Sequence, residues 1–294
     1  MKLELGEEQL FFNQINSCVF LYGWMLVEKL MWKYQADGHV VKTIFLLECL
    51  SQKSIDMEKL TAKKIVVAGA TGGIGRQLVK MLHQSGAEVF VTGRNQSKLD
   101  ALVSELSLKS THAFAVEISD ESGMKQLGEM VTSVMGTPDI LVNLAGVGII
   151  KSMDNLSLAE FNQSLQTNLV GAFLFVKTFL PSMKESKKGL IVNVPGVLGK
   201  VPMAGAAAYS SSKYVILGMM QSIREELKRT EIRITNLFLG GVDSPFWDTI
   251  DLKVQKDKMI REEEAARSIW FLCQQPASGV VSEMVLQPFN HQAI

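Results

Sequence analysis

The sequence predicts an α/β fold: a doubly wound, mostly parallel sheet of seven strands with helices on both faces, preceded by a short helical N-terminal extension. Three observations carry this. From Lys63 onward, short β-branched runs alternate with longer segments of helical spacing, the rhythm of parallel βαβ units. The first of those runs opens directly into a glycine-rich turn, Gly69-Ala70-Thr71-Gly72-Gly73-Ile74-Gly75, and a helix start at Arg76-Gln77-Leu78-Val79. The chain is also long and apolar enough to fill a core between layers, with 294 residues of which 47% are hydrophobic and 20% charged.

Taken in order, the strands are expected at residues 65–68, 88–92, 112–116, 140–143, 190–194, 233–238 and 284–286. No internal repeat, low-complexity tract or Pro/Gly-rich linker divides residues 63–288, so residues 61–290 read as one domain. Residues 1–60 read differently, with two of the four tryptophans and two apolar helix-like stretches at 10–34 and 40–50. Their longest uncharged, mostly apolar piece, residues 17–27, falls short of the roughly 20 residues that span a bilayer. Glu4, Glu7 and Glu8, with no A-x-A pattern after the apolar run, also argue against a secretory signal. The extension reads in one of two ways. It is an amphipathic hairpin that docks on the main domain or lies on a membrane through residues 1–50, or it lies upstream of a true start at Met57, where Met-Glu-Lys-Leu-Thr-Ala-Lys-Lys resembles an ordinary domain beginning.

Thirty basic residues against 30 acidic ones exclude a broad basic surface, so no nucleic-acid partner is expected. Cys18, Cys49 and Cys273 are scattered and include no C-x-x-C pair, which suggests neither disulfides nor zinc and fits a reducing cytoplasm. His39, His83, His112 and His291 have no metal-ligating spacing, and no metal is expected. The glycine turn, by contrast, suits a dinucleotide. Its backbone can approach a pyrophosphate, and the helix N-terminus behind it supplies free N–H groups and a positive dipole end. The glycines fall at 69, 73 and 75, a G-x-x-x-G-x-G pattern rather than G-x-G-x-x-G. The second strand ends Val91-Thr92-Gly93-Arg94, where a carboxylate would read the ribose of NAD. Arg94 stands there instead, with Arg76 as a second cation, and planar guanidinium groups suit the 2′-phosphate of NADP(H). NADP is therefore expected over NAD.

Tyr209 and Lys213 are four residues apart and so share a helix face. A phenol with a pKa of about 10 needs roughly 3–4 kcal/mol of help to ionise two to three units lower, which a neighbouring ammonium and an oxidised nicotinamide can supply. With Asn143-Leu144-Ala145-Gly146, Asn168, Tyr209-Ser210-Ser211-Ser212-Lys213 and Gly240-Gly241-Val242-Asp243-Ser244-Pro245-Phe246 following the glycine turn in order, the sequence resembles the short-chain dehydrogenase/reductase family, a Rossmann-fold family, over residues 63–288. The resemblance implies hydride transfer between NADP and a substrate, interconverting a carbonyl and a secondary alcohol. Tyr209 would be the proton donor or acceptor, Lys213 would also hold the nicotinamide ribose, and Asn168 would connect a relay water. It implies cofactor contacts at Gly69, Thr71, Gly73, Ile74, Gly75 and Arg76, at Arg94, Glu117 and Ile118, and at Asn143, Ala145, Gly146, Val242 and Ser244, besides Tyr209 and Lys213. A small-molecule substrate would lie between the segment after Gly146 and residues 245–258, where Phe246 and Trp247 either suggest an apolar ligand or equally serve as loop anchors packed into the core. Homo-oligomers would form through the helices bearing Asn168 and Tyr209.

The sequence departs from the family's pattern in four places. Gly196 stands where a carbonyl-binding serine is usual, Ala68 for a threonine, Leu144 for the second asparagine and Leu239 for a proline. Losing one preorganised donor costs about 10²–10³ in rate. The alternative function is therefore a non-catalytic NADP-binding sensor or scaffold of the same fold.

Overall fold

A computed structural model describes residues 57–276 and 278–291; the expectations for residues 1–56 lie outside the described residues. The elements run β1 (Lys64–Ala68), α1 (Gly73–Gln84), β2 (Glu88–Gly93), α2 (Gln96–Leu106), β3 (Ala113–Ala115), α3 (Glu121–Met135) and β4 (Ile140–Asn143). They continue with α4 (Leu158–Leu165), a π-helical turn (Gln166–Val170), α5 (Gly171–Ser186), β5 (Lys188–Asn193), α6 (Ala207–Glu226) and β6 (Glu231–Leu239). Last come β7 (Val242–Asp243), β8 (Ile260–Arg261), α7 (Glu262–Leu272) and β9 (Glu283–Leu286). The compact unit holding them begins at Met57, and Leu60 is already buried in its core.

Seven strands form one sheet in the order β3-β2-β1-β4-β5-β6-β9. Every pairing in it is parallel, so the sheet is wholly rather than mostly parallel. Strand residues alternate between faces, and the strands are apolar on both because both are covered. Ile65, Val67, Val91 and Val142 pack with Leu78 and Leu82 of α1, Leu99 of α2 and Ile269 of α7. Val66, Phe90, Leu141 and Ile234 pack with Met124 of α3, Phe175 and Phe179 of α5 and Ile216 of α6. Between β1 and β4 the strand order reverses, which opens a crevice beyond their C-terminal ends.

Two details differ from the sequence reading. His112 is not in β3. It closes a short 3₁₀ turn and is buried, with Nε2 3.0 Å from Glu88 Oε1. A separate two-stranded ladder, β7 with β8, ties the segment after β6 to the start of α7. Two-residue strands carry too little periodicity to be seen in sequence.

Candidate active site

The crevice is shaped by backbone contacts that only glycine allows. Gly69 has φ +77°, and a Cβ there would stand 2.7 Å from the Leu144 carbonyl carbon and 2.8 Å from the Ala145 nitrogen. The turn after β1 is thus pressed against the turn after β4. A Cβ on Gly75 would meet the Gly69 oxygen at 2.2 Å, so α1 folds back tightly on its own entry turn. Gly72 caps α1 without a side-chain hydrogen bond, and no acid of α1 itself lies in its first turn. Gly73 abuts the Glu262 carboxylate at the start of α7, while Ile74 leans on the core.

A cleft of about 200 Å³ lies beside this turn. Gly69, Thr71, Arg94, Glu117, Ile118, Leu144, Ala145 and Gly146 line it, together with Thr92, Val116, Met124 and Thr167, which sequence reasoning did not single out. The arginines part company. Arg94 is on the cleft wall, with Nη1 3.8 Å from Glu117 Oε2, whereas Arg76 reaches across to α2, with Nη2 2.5 Å from Glu105 Oε2, and does not line the cleft. Asn143 is buried at the end of β4, where its Oδ1 accepts a hydrogen bond from the Ala145 amide at 3.1 Å, so it braces the turn rather than facing the cleft. Val242, in β7, is buried, and Ser244 opens the 3₁₀ turn over Pro245–Thr249; neither lines the cleft.

Gly146 connects this cleft to a second group of side chains. A Cβ on it would lie 3.0 Å from Asn168 Oδ1 and 3.5 Å from Lys213 Nζ. Asn168 sits in the π-helical turn between α4 and α5 and is held on both sides of its amide. Its Oδ1 accepts from the Val147 amide at 2.8 Å, and its Nδ2 donates to the Val147 carbonyl at 3.0 Å and to Ser212 Oγ at 2.9 Å. Ser212 in turn donates to the Tyr209 carbonyl at 2.6 Å, and the buried Ser164 hydroxyl donates to the Ala208 carbonyl at 3.1 Å. Sequence reasoning missed Ser164 and Ser212. The signal was the i,i+4 spacing of Ser164 and Asn168 and the placement of Ser212 beside Lys213.

Tyr209 and Lys213 project from the first two turns of α6 into this group. Lys213 Nζ lies 5.5 Å from the Tyr209 ring centroid and donates to the Val194 carbonyl at 3.3 Å. Burial pushes the phenol up to about 12 and draws the ammonium down to about 8. The phenol is thus firmly protonated near neutrality, suited to donating a proton, and the lysine beside it is still cationic.

The short chain dehydrogenase family profile matches residues 63–255, well over half of the chain. The chain belongs to that family. Among its relatives is an uncharacterised oxidoreductase of Staphylococcus aureus strain MW2, 26% identical over 232 residues, which span 79% of this chain and all of that one. The solved structure of a metagenomic short-chain oxidoreductase in complex with NADP superposes with a TM-score of 0.68 at 28% identity, covering 79% of this chain and 99% of that one. An alcohol dehydrogenase from Thermococcus sibiricus shares the fold, with a TM-score of 0.69 at 23% identity over 79% of this chain and 99% of that one.

Two further features shape the surroundings of Tyr209. Gly196 adopts φ +73° and ψ 166°, a region essentially reserved for glycine, so a serine could not be placed there without re-routing the loop. Next, the Phe246 ring leans over Tyr209 with centroids 5.8 Å apart and stands edge-on to Trp247 at 5.2 Å. Gly148 makes room for it, since a Cβ there would meet Phe246 Cζ at 2.2 Å. The two aromatics divide their work. Trp247 Nε1 donates to the Val242 carbonyl at 2.8 Å and anchors the segment, while Phe246 forms an apolar wall beside the phenol.

Proposed function

We propose that this protein is an NADP-preferring oxidoreductase that interconverts a carbonyl and a secondary alcohol on a small, largely apolar molecule. The observation that carries the reading is the meeting of Lys213 and Asn168 at Gly146, the residue that also borders the glycine-turn cleft, with the Tyr209 ring 5.5 Å from Lys213 Nζ. The cleft suits a dinucleotide because part of its wall is glycine backbone with no Cβ to obstruct a close approach, with the N-terminus of α1 beside it and a guanidinium on the rim. The metagenomic relative's bound NADP supports the same assignment.

Within this reading, the turn residues 69–76 and residues 143–146 hold the dinucleotide, and Arg94 engages a 2′-phosphate. Glu117 and Ile118 border its adenine, and Val242 and Ser244 border its carboxamide. A bound nicotinamide supplies or accepts the hydride. Tyr209 gives its proton to the substrate oxygen, or takes it in the reverse direction. Lys213 keeps a positive charge next to the phenol and so lowers the cost of leaving it ionised. Asn168, clamped by Val147 and Ser212, holds the π-helical turn in place beside them. A homo-oligomer accords with this reading, since α5 and α6 expose Phe173, Tyr214 and Val215.

One observation favours the second reading, a non-catalytic NADP-binding sensor: Gly196 leaves no side-chain donor for a substrate carbonyl at that position. Turnover on a carbonyl panel separates the two. Tyr209→Phe is expected to bind NADPH as the wild type does and to lose about 10²-fold or more in NADPH oxidation. Wild-type protein that binds NADPH without oxidising it on any carbonyl would favour the sensor.

A further inference from the structure

We propose that Glu262 sets the affinity of the dinucleotide site: it is a resident carboxylate at the mouth of α1 that opposes the cofactor's phosphates and weakens their binding while it is ionised. The inference rests on the reading of the glycine-turn cleft as a dinucleotide site, and it adds to that site a residue from a distant part of the chain. The amides of Gly73, Ile74 and Gly75 open α1 and have no acceptor among the described residues. They are the donors that an anion at this helix end would take. A Cβ on Gly73 would point back towards the start of the helix, and it would stand 1.4 Å from Glu262 Oε1 and 2.2 Å from Glu262 Cδ. The carboxylate therefore fills the space that a side chain on the first residue of α1 would take. Gly72, one residue earlier, is on the cleft wall.

Helix α7 does not depend on this charge. Its first turn also holds Glu263 and Glu264, and Glu264 closes a capping box with Arg261. Glu262 is half-buried and has no hydrogen-bond or ion-pair partner among the described residues. Burial, followed by Glu263 on its own helix and Asp243 on β7, pushes its carboxyl above the usual range, while Arg76 on α1 pulls it the other way. Arg76 is itself engaged by Glu105, and Lys256, 4.0 Å from Asp243, is held more closely by Asp248. A pyrophosphate on the α1 amides brings further negative charge to an acid that is already poorly compensated, and like charges disfavour each other's ionised forms. Binding is thus weaker while Glu262 is ionised, and it draws a proton onto Glu262 as pH falls.

The test titrates NADPH, followed by nicotinamide fluorescence, into the full chain and its Glu262→Gln and Glu263→Gln variants. At pH 7.5 Glu262→Gln is expected to bind about fivefold or more tightly than wild type. Glu263→Gln removes the same charge from a more exposed neighbour and is expected to stay within about twofold. At pH 5.5, where more of the wild-type carboxyl is protonated, the gap between wild type and Glu262→Gln should narrow. A residue that only supported the fold would weaken binding when replaced, so the direction of the change separates the two roles. Glu262→Ala carries the same expectation should the amide variant fail to fold, and melting temperatures show which variants are folded. Affinity unchanged or lowered in the folded Glu262 variants, or raised equally in Glu263→Gln, overturns the inference while the cofactor reading stands. If NADPH binds none of these proteins, the cofactor reading itself falls and takes the inference with it.

Discussion

Arg94 and Glu117 face each other across the cleft rim at 3.8 Å, both well exposed, and such a pair is worth about 0–1 kcal/mol in water. A 2′-phosphate offers the guanidinium a bidentate, charge-assisted partner worth more than the carboxylate it displaces. Arg94→Ala is expected to weaken NADPH about tenfold and leave NADH within about twofold, measured by nicotinamide fluorescence titration. Equal losses for both dinucleotides would refute the role given to Arg94. The identity of this arginine was legible because it follows β2 directly. That Arg76 would turn away was not, since its partner Glu105 is 29 residues distant and reached only once α1 and α2 lie side by side. Gly196 was legible as a missing hydroxyl. Its positive φ, which disfavours a serine at that position, was not.

Among elements, the strands at 140–143 and 65–68 were readable almost to the residue, because continuous β-branched runs flanked by turn residues leave little choice of boundary. β6 runs beyond its expected ends, from Glu231 to Leu239, because pairing with β5 and β9 extends it past its most apolar stretch. The helix carrying Asn168 proved to be two helices joined by a π-helical turn. Nothing in Gln166-Thr167-Asn168-Leu169-Val170 announces the extra residue. The turn depends on tertiary hydrogen bonds from Asn168 to Val147 and Ser212, which become available only when α6 is in place. Serines inside helices usually satisfy themselves locally, which is why Ser164 and Ser212 drew no attention as supports for Asn168.

For the molecule as a whole, the site is maintained against folding stability. Lys213 is buried and its ammonium titrates at about 8 rather than 10.5. Below about pH 8 the fold carries the full cost of that buried charge. As pH rises from 8 towards 10.5 the folded form sheds its proton first, and the cost is relieved. Lys213→Met is thus expected to raise the melting temperature by several degrees at pH 7, with the gain shrinking by pH 10. Tyr209, raised to about 12, has the opposite slope: stability falls only as pH climbs above 10, outside that window. A variant no more stable than wild type at pH 7 would show that the ammonium has compensating partners.

The central claim, that the cleft and Tyr209 together carry out hydride transfer, is tested most directly by following the atom that moves. Protein supplied with NADPH deuterated at the transferable C4 position and a reducible ketone should yield an alcohol with one deuterium on its carbinol carbon, seen by mass spectrometry, and Tyr209→Phe should yield almost none. Alcohol formed without deuterium, or undiminished formation by Tyr209→Phe, would contradict the account.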